Sequence, residues 1–223
     1  MHKYASRVGV LAVVLATAAS LASAQGAPAV AVSRPTFGIM AGGNFAKLNG
    51  DDAGDVNMRT AFMGGVYADL PVGTSGVSIQ PRVLFSMEGA KLNNFDGNGT
   101  DATLKTNYIR VPVMVRYTIP SAGGVRPFFS LGPSFGLQVG CKVGADNGGS
   151  AASASCDDIN DQLGGGFEKK TFDMSGDVEF GLDFPTGSRS FTIGGIFSQG
   201  FTDTFKDAKT RNQALSVFVG VGF

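Results

Sequence analysis

The chain has 223 residues, 18 basic and 18 acidic side chains, 43% hydrophobic and 16% charged residues, 33 glycines, 18 phenylalanines and no tryptophan. Its single histidine, His2, lies near the start. Downstream there is no imidazole for Ser-His-Asp hydrolysis, Cys-His chemistry or a histidine-based zinc site.

Lys3 and Arg7 precede an apolar run, Val8 to Ala19, and Ala22-Ser23-Ala24 places small residues where a signal peptidase reads them. Residues 1–24 are therefore expected to be a cleaved signal peptide, cut between Ala24 and Gln25. A short linker is expected over 25–35 and one domain over 36–223. The apolar run falls short of the ~20 residues of a helical span, and Gln25 is not the cysteine of a lipoprotein anchor. Loss of Lys3 and Arg7 leaves 16 basic against 18 acidic groups, a net charge near −2 that offers nothing to nucleic acid.

Eight strands are predicted, at roughly 36–45, 58–70, 76–90, 104–119, 126–141, 170–184, 190–204 and 213–223. A strand turns successive side chains to opposite faces. In the third, Val77, Ile79, Val83, Phe85 and Met87 oppose Ser78, Gln80, Arg82, Ser86 and Glu88. In the fourth, Ile109, Val111, Val113, Val115, Tyr117 and Ile119 oppose Tyr108, Arg110, Met114, Arg116 and Thr118. In the sixth, Phe172, Met174, Val178, Phe180, Leu182 and Phe184 oppose Asp173, Ser175, Asp177, Glu179 and Asp183. The last has a large apolar residue at every odd position from Leu215 to Phe223. Glycine blurs the alternation in the first, fifth and seventh. Pro112 and Pro133, which donate no ladder hydrogen bond, predict bulges.

The links alternate in length. Pro71–Gly76, Pro120–Gly124 and Pro185–Ser188 are short turns, whereas the first, third, fifth and seventh links are longer and polar, the fifth (about 142–169) longest. Short inner turns alternating with long outer loops characterise an outer-membrane barrel. The reading is an all-β, closed antiparallel up-and-down transmembrane β-barrel of about eight strands. A soluble exported ligand carrier of eight strands is the alternative, and it would point its large apolar residues inward. Here the charged rows also carry Gly, Ser and Thr, and the opposite rows would overfill a narrow lumen.

Several segments carry a family resemblance: Gln80–Ala90, Tyr108–Val115, Arg126–Pro133 and Val219–Phe223. Together they resemble the small outer-membrane β-barrels that include PorT-like and OmpA-like proteins, over nearly all of Thr36 to Phe223. The resemblance implies a bacterial outer-membrane location. It also accounts for Pro112 and Pro133, and implies that Phe223 is the aromatic end signal read by the barrel-assembly machinery. It carries no catalytic residues. With no tryptophan, the interfacial aromatic belt must come from Phe and Tyr.

The inward rows gather Arg82, Arg110 and Arg116 with Asp69, Glu88, Asp177, Glu179 and Asp183. Charges at membrane depth must face the lumen and find partners. A paired network plugging the barrel is the expectation, with Arg110 placed against Glu179; a charged constriction of a narrow pore for small solutes is the alternative. Cys141 and Cys156 fall near or within the fifth link in an oxidising compartment, so a disulfide is expected, ahead of metal binding or a reactive thiol. The Asp96-Gly97-Asn98-Gly99-Thr100-Asp101 loop begins like a calcium loop but lacks glycine at the sixth position and glutamate at the twelfth. No phosphate-binding or dinucleotide fingerprint occurs. The expectation is a barrel without enzymatic activity, cofactor or metal. It stabilises the envelope or meets a surface partner through its loops, with outer-membrane lipid around it and no wall-anchoring role.

Overall fold

Period-two alternation becomes strands wherever it was read, because one row of each segment can face hydrocarbon while the other fills the interior. In the computed structural model, residues 35–51, 56–93, 99–122, 124–149, 151–162, 170–206 and 209–223 are described. The expected signal peptide with its Ala24/Gln25 cleavage point lies outside them, as does the linker except for Pro35. The elements are β1 (Thr36–Asn49), β2 (Asn57–Val72), β3 (Val77–Leu92), β4 (Asp101–Thr118), β5 (Arg126–Asp146), β6 (Ala151–Ser155), α1 (Cys156–Gln162), β7 (Phe172–Thr186), β8 (Arg189–Gly200) and β9 (Arg211–Gly222).

Each barrel strand pairs antiparallel with its sequence neighbour, and β1 closes the ring on β9 from Gly38↔Gly222 to Asn49↔Arg211. Eight strands form the wall; β6 pairs only with the outer end of β5. Closure matters because hydrocarbon satisfies no backbone N–H or C=O, so a spanning sheet can have no edge. The turns β2–β3, β4–β5 and β7–β8 are short, and the last is a two-residue hairpin in which Gly187 takes φ 61° between the paired Thr186 and Arg189.

Three expectations need correction. The prolines make no bulges: the register is the same on both sides of Pro112 and Pro133. A missing N–H removes a ladder bond but adds no residue, and a bulge needs the added residue. The register shifts lie elsewhere, between Met58 and Met63 on β2 and at Asn107/Tyr108 on β4. The fifth link is no bare polar loop, since β5 runs on to Asp146 and hairpins with β6 before α1. Finally, β8 stops at Gly200 rather than 204, and the chain then turns inward to bury Phe205.

The two rows separate as alternation requires. Val83, Val113, Val115, Val217 and Val219 are exposed on the outside, while Met114, Arg82, Glu88 and Glu179 are buried inside. An apolar exterior this continuous demands lipid rather than water, the reverse of a soluble carrier. The interior is less uniformly polar than the sequence reading held. Met40, Met63, Leu84, Phe128, Ile196 and Phe218 pack together within the lumen. Inward glycines make the room: a β-carbon on Gly181 would stand 2.4 Å from the Phe128 ring, and one on Gly194 2.7 Å from that of Phe218.

The assignment of faces is testable. Val113→Arg, facing lipid deep in the wall, is expected to cost ~2–4 kcal/mol in denaturant unfolding from liposomes, against ~0–1 for Thr60→Arg near the outer rim. Equal costs at the two positions would mean the faces or the depth are wrong.

Candidate functional site: the lumen

Strand alternation delivers every predicted lumen charge to the interior, and the register decides which of them meet. Near the short-turn end, Arg116 on β4 pairs with Asp183 on β7, whose other oxygen accepts from Thr192 Oγ1 at 2.6 Å. The Arg116 guanidinium also lies over the Phe128 ring, 3.5 Å from its centroid. Asp69 accepts from Ser78 Oγ at 2.6 Å, and among the described residues no ion pair with an arginine reaches it. One level further in, Arg82 crosses the lumen to Glu179, and both side chains are almost wholly buried. Gln80 steadies Arg82 by accepting from its Nε at 3.0 Å.

Toward the long-link end, Arg110 makes a two-pronged contact with Glu88, Nε to Oε1 at 2.5 Å and Nη2 to Oε2 at 2.7 Å. Its Nη2 also reaches Asp173 Oδ2 at 2.6 Å. Paired N–H donors matched to one carboxylate fix orientation as well as charge. A polar chain extends from this centre: Ser86 donates to Glu88, Asn44 to Ser86, and Ser216 to Asn44, at 2.9, 3.1 and 3.0 Å. Asp173 accepts from Thr202 Oγ1 at 2.9 Å.

The expected Arg110–Glu179 pairing is therefore replaced. Glu179 belongs to Arg82, and Arg110 takes Glu88 and Asp173. Asp177 accepts from Ser175 at 3.1 Å, and among the described residues no ion pair reaches it. Asp173 was missing from the predicted network, although its parity with Ser175, Asp177 and Glu179 on β7 was readable. Partner choice was not readable, because register is absent from one strand's pattern.

A cavity of about 90 Å³ opens among Tyr67, Asp69, Ser78, Arg116, Arg126 and Asp183 at the short-turn end. Beyond it, a void of about 10 Å³ lies among Met40, Arg82, Glu179 and Phe218.

At the opposite end a second apolar cluster, Leu48, Ala90, Leu104, Cys141, Cys156 and Phe205, lies across the mouth, flanked by Val56 and Val143. Cys141 on β5 and Cys156 at the head of α1 form a disulfide, with Cα atoms 5.4 Å apart. Ser155 Oγ accepts from the Asp158 amide at 3.0 Å, capping the helix start. Nothing in the alternation foretold this cap, because Phe205 and Cys156 stand in links.

Phe223 is exposed at the end of β9, and its backbone exchanges hydrogen bonds with Phe37 at 2.8 and 3.2 Å.

Residues 23–206 match the family described as outer membrane protein beta-barrel domain. Among curated proteins, none matches the sequence. Among solved structures the chain is similar to Neisserial surface protein A, with 15% identity, 86% of this chain and 100% of that one covered, and a TM-score of 0.46. It is also similar to OprG of Pseudomonas aeruginosa, at 12% identity, 84% and 95% coverage and a TM-score of 0.45. A third is Ail of Yersinia pestis in complex with the heparin analogue sucrose octasulfate, at 12%, 85% and 99%, and 0.44.

The cap yields a second prediction. Cys141→Ser with Cys156→Ser leaves the barrel intact but lowers its stability by ~3 kcal/mol, as expected for a bridge closing a loop of 15 residues. Denaturant midpoints of the two forms measure it; identical midpoints would show that the bridge adds no stability.

Proposed function

The chain belongs to the outer membrane protein β-barrel domain family, located in the bacterial outer membrane, and from that premise we propose a non-enzymatic structural or surface-contact barrel whose lumen is plugged. The observation that carries this reading is the set of arginine–carboxylate pairs spanning the interior. Arg116–Asp183, Arg82–Glu179 and Arg110 with Glu88 and Asp173 occupy successive levels. An eight-stranded barrel has an interior only wide enough for side chains, and these side chains fill it together with the Met40–Phe218 cluster.

Ions crossing such a lumen would have to break charge-assisted bonds between groups almost cut off from water. The cap at the long-link end adds an apolar barrier. Glu88, Asp173, Glu179 and Asp183 are engaged by arginines, while Asp69 and Asp177 accept from the serines Ser78 and Ser175, an arrangement that favours scaffold over catalysis. What remains available for contact is the outer surface, with its Asp-rich links and the rim of the wall.

Two measurements on the same variants test the plug. Arg82→Ala leaves Glu179 buried without its partner and is expected to cost ~3–5 kcal/mol. Arg82→Met with Glu179→Leu, which removes both charges at similar volume, is expected to recover most of that loss. The wild-type barrel should conduct little in planar bilayers. Steady ion-selective conductance in the wild type, with Arg82→Ala altering selectivity but not stability, would replace the plug with a narrow pore.

A further inference from the structure

On the outside of the wall, where the apolar band gives way to the long links, three lysines come together. The outward row of β4 runs Val111, Ile109, Asn107, Lys105 toward that end, and that of β5 runs Leu137, Val139 and, beyond the bulge, Lys142. Lys105 and Lys142 are directly opposite in the β4–β5 ladder. Lys105 also faces Gly89 on β3, so Lys91 is its diagonal neighbour. Opposed side chains have β-carbons ~4.5–5.5 Å apart and diagonal ones ~7–8 Å, so Lys105 stands within side-chain reach of both Lys142 and Lys91, which themselves lie two strands apart. All three lysines are exposed. Between them lie Gly89, with no side chain, and Asn107, whose amide lies 3.2 Å from where Gly140 would carry a β-carbon.

Like charges set directly opposite one another destabilise an antiparallel pair, so this arrangement calls for a counter-charge. Among the described residues, no hydrogen bond or ion pair engages Lys91, Lys105 or Lys142. The next carboxylates outward along these strands, Asp101 and Asp146, face each other at the end of the ladder, and Asp146 accepts from the Gly148 amide at 2.8 Å. Elsewhere on the rim the pattern differs. Lys170 and Arg211 both reach Asp203, at 3.8 and 3.4 Å.

We propose that Lys91, Lys105 and Lys142 bind the phosphate groups of an anionic glycolipid in the outer leaflet. Depth selects a lipid over a soluble anion. The cluster stands at the edge of the band, directly above Leu137 and Val139, which are 54% and 57% exposed and offer acyl chains an apolar track. Phosphates then meet the ammonium groups while the chains lie along β4 and β5. The proposal is independent of whether the lumen conducts.

The experiment uses the folded full-length barrel in phosphatidylcholine vesicles doped with bisphosphorylated lipid A, with the same lipid A after phosphate removal, or with phosphatidylglycerol. Lipid retained per barrel is counted by native mass spectrometry, and heat-modifiable gel migration checks folding of every variant. The wild type is expected to retain the phosphorylated glycolipid in preference to both others. Each Lys→Gln change at 91, 105 or 142 should weaken retention about fivefold. Lys170→Gln with Arg211→Gln, which removes rim charge already paired to Asp203, should leave it unchanged. Equal retention by the triple variant and this control would overturn the proposal. So would wild-type retention of dephosphorylated lipid A or phosphatidylglycerol as strong as that of the phosphorylated form.

Discussion

The seam between β1 and β9 joins the first strand of the wall to the last, residue by residue from Gly38↔Gly222 to Asn49↔Arg211. Without it, β1 and β9 would each present a row of unpaired N–H and C=O groups to hydrocarbon, where no solvent can satisfy them. The seam spans almost the entire sequence separation of the domain, so the barrel is complete only when its final strand docks. Phe223 lies at this seam, its backbone exchanging hydrogen bonds with Phe37. The chemistry of the interior is a consequence of closing the ring at eight strands.

Closure at that number leaves an interior about as wide as the side chains that enter it, and so imposes a chemistry on the inward row. Arg82, Arg110 and Arg116 are matched there by Glu179, Glu88, Asp173 and Asp183, while Asp69 and Asp177 accept from neighbouring serines. Burying an ion pair is not in itself a source of stability, because desolvation offsets most of the attraction. What the pairs at Arg82, Arg110 and Arg116 supply is mutual dependence, since losing one member strands the other. The apolar cluster of Met40, Leu84, Phe128 and Phe218 sits among them because inward glycines on facing strands give the rings space. Large beside small is how a tapering barrel interior is filled.

The two ends of the barrel differ. At the short-turn end, tight hairpins leave a shallow cavity around Arg116 and Arg126. At the other end, β5 outruns the wall and pairs with β6, the Cys141–Cys156 bridge ties α1 to β5, and Phe205 enters from the β8–β9 link. The same overrun of β5 carries Lys142 beside Lys105. The cap inside the mouth and the lysine cluster outside it thus share one cause, the extension of β4 and β5 beyond the apolar band.

Strand number, the faces of Val113 and Met114, the alternation of short and long links and the inward position of every predicted lumen charge were legible in the sequence. All of these follow from a period of two and from local turn chemistry, which a single strand carries within itself. Proximity of Cys141 to Cys156 was legible as well, being a short-range property of one link. Which arginine meets which acid was decided only by the tertiary structure, since Glu179 could have served Arg110 until register handed it to Arg82. The unbroken register at Pro112, the cap at Phe205 and the meeting of Lys91, Lys105 and Lys142 were decided in the same way. Each depends on how one strand is offset against the next, and offset belongs to pairs of strands, so no strand's own pattern of residues contains it.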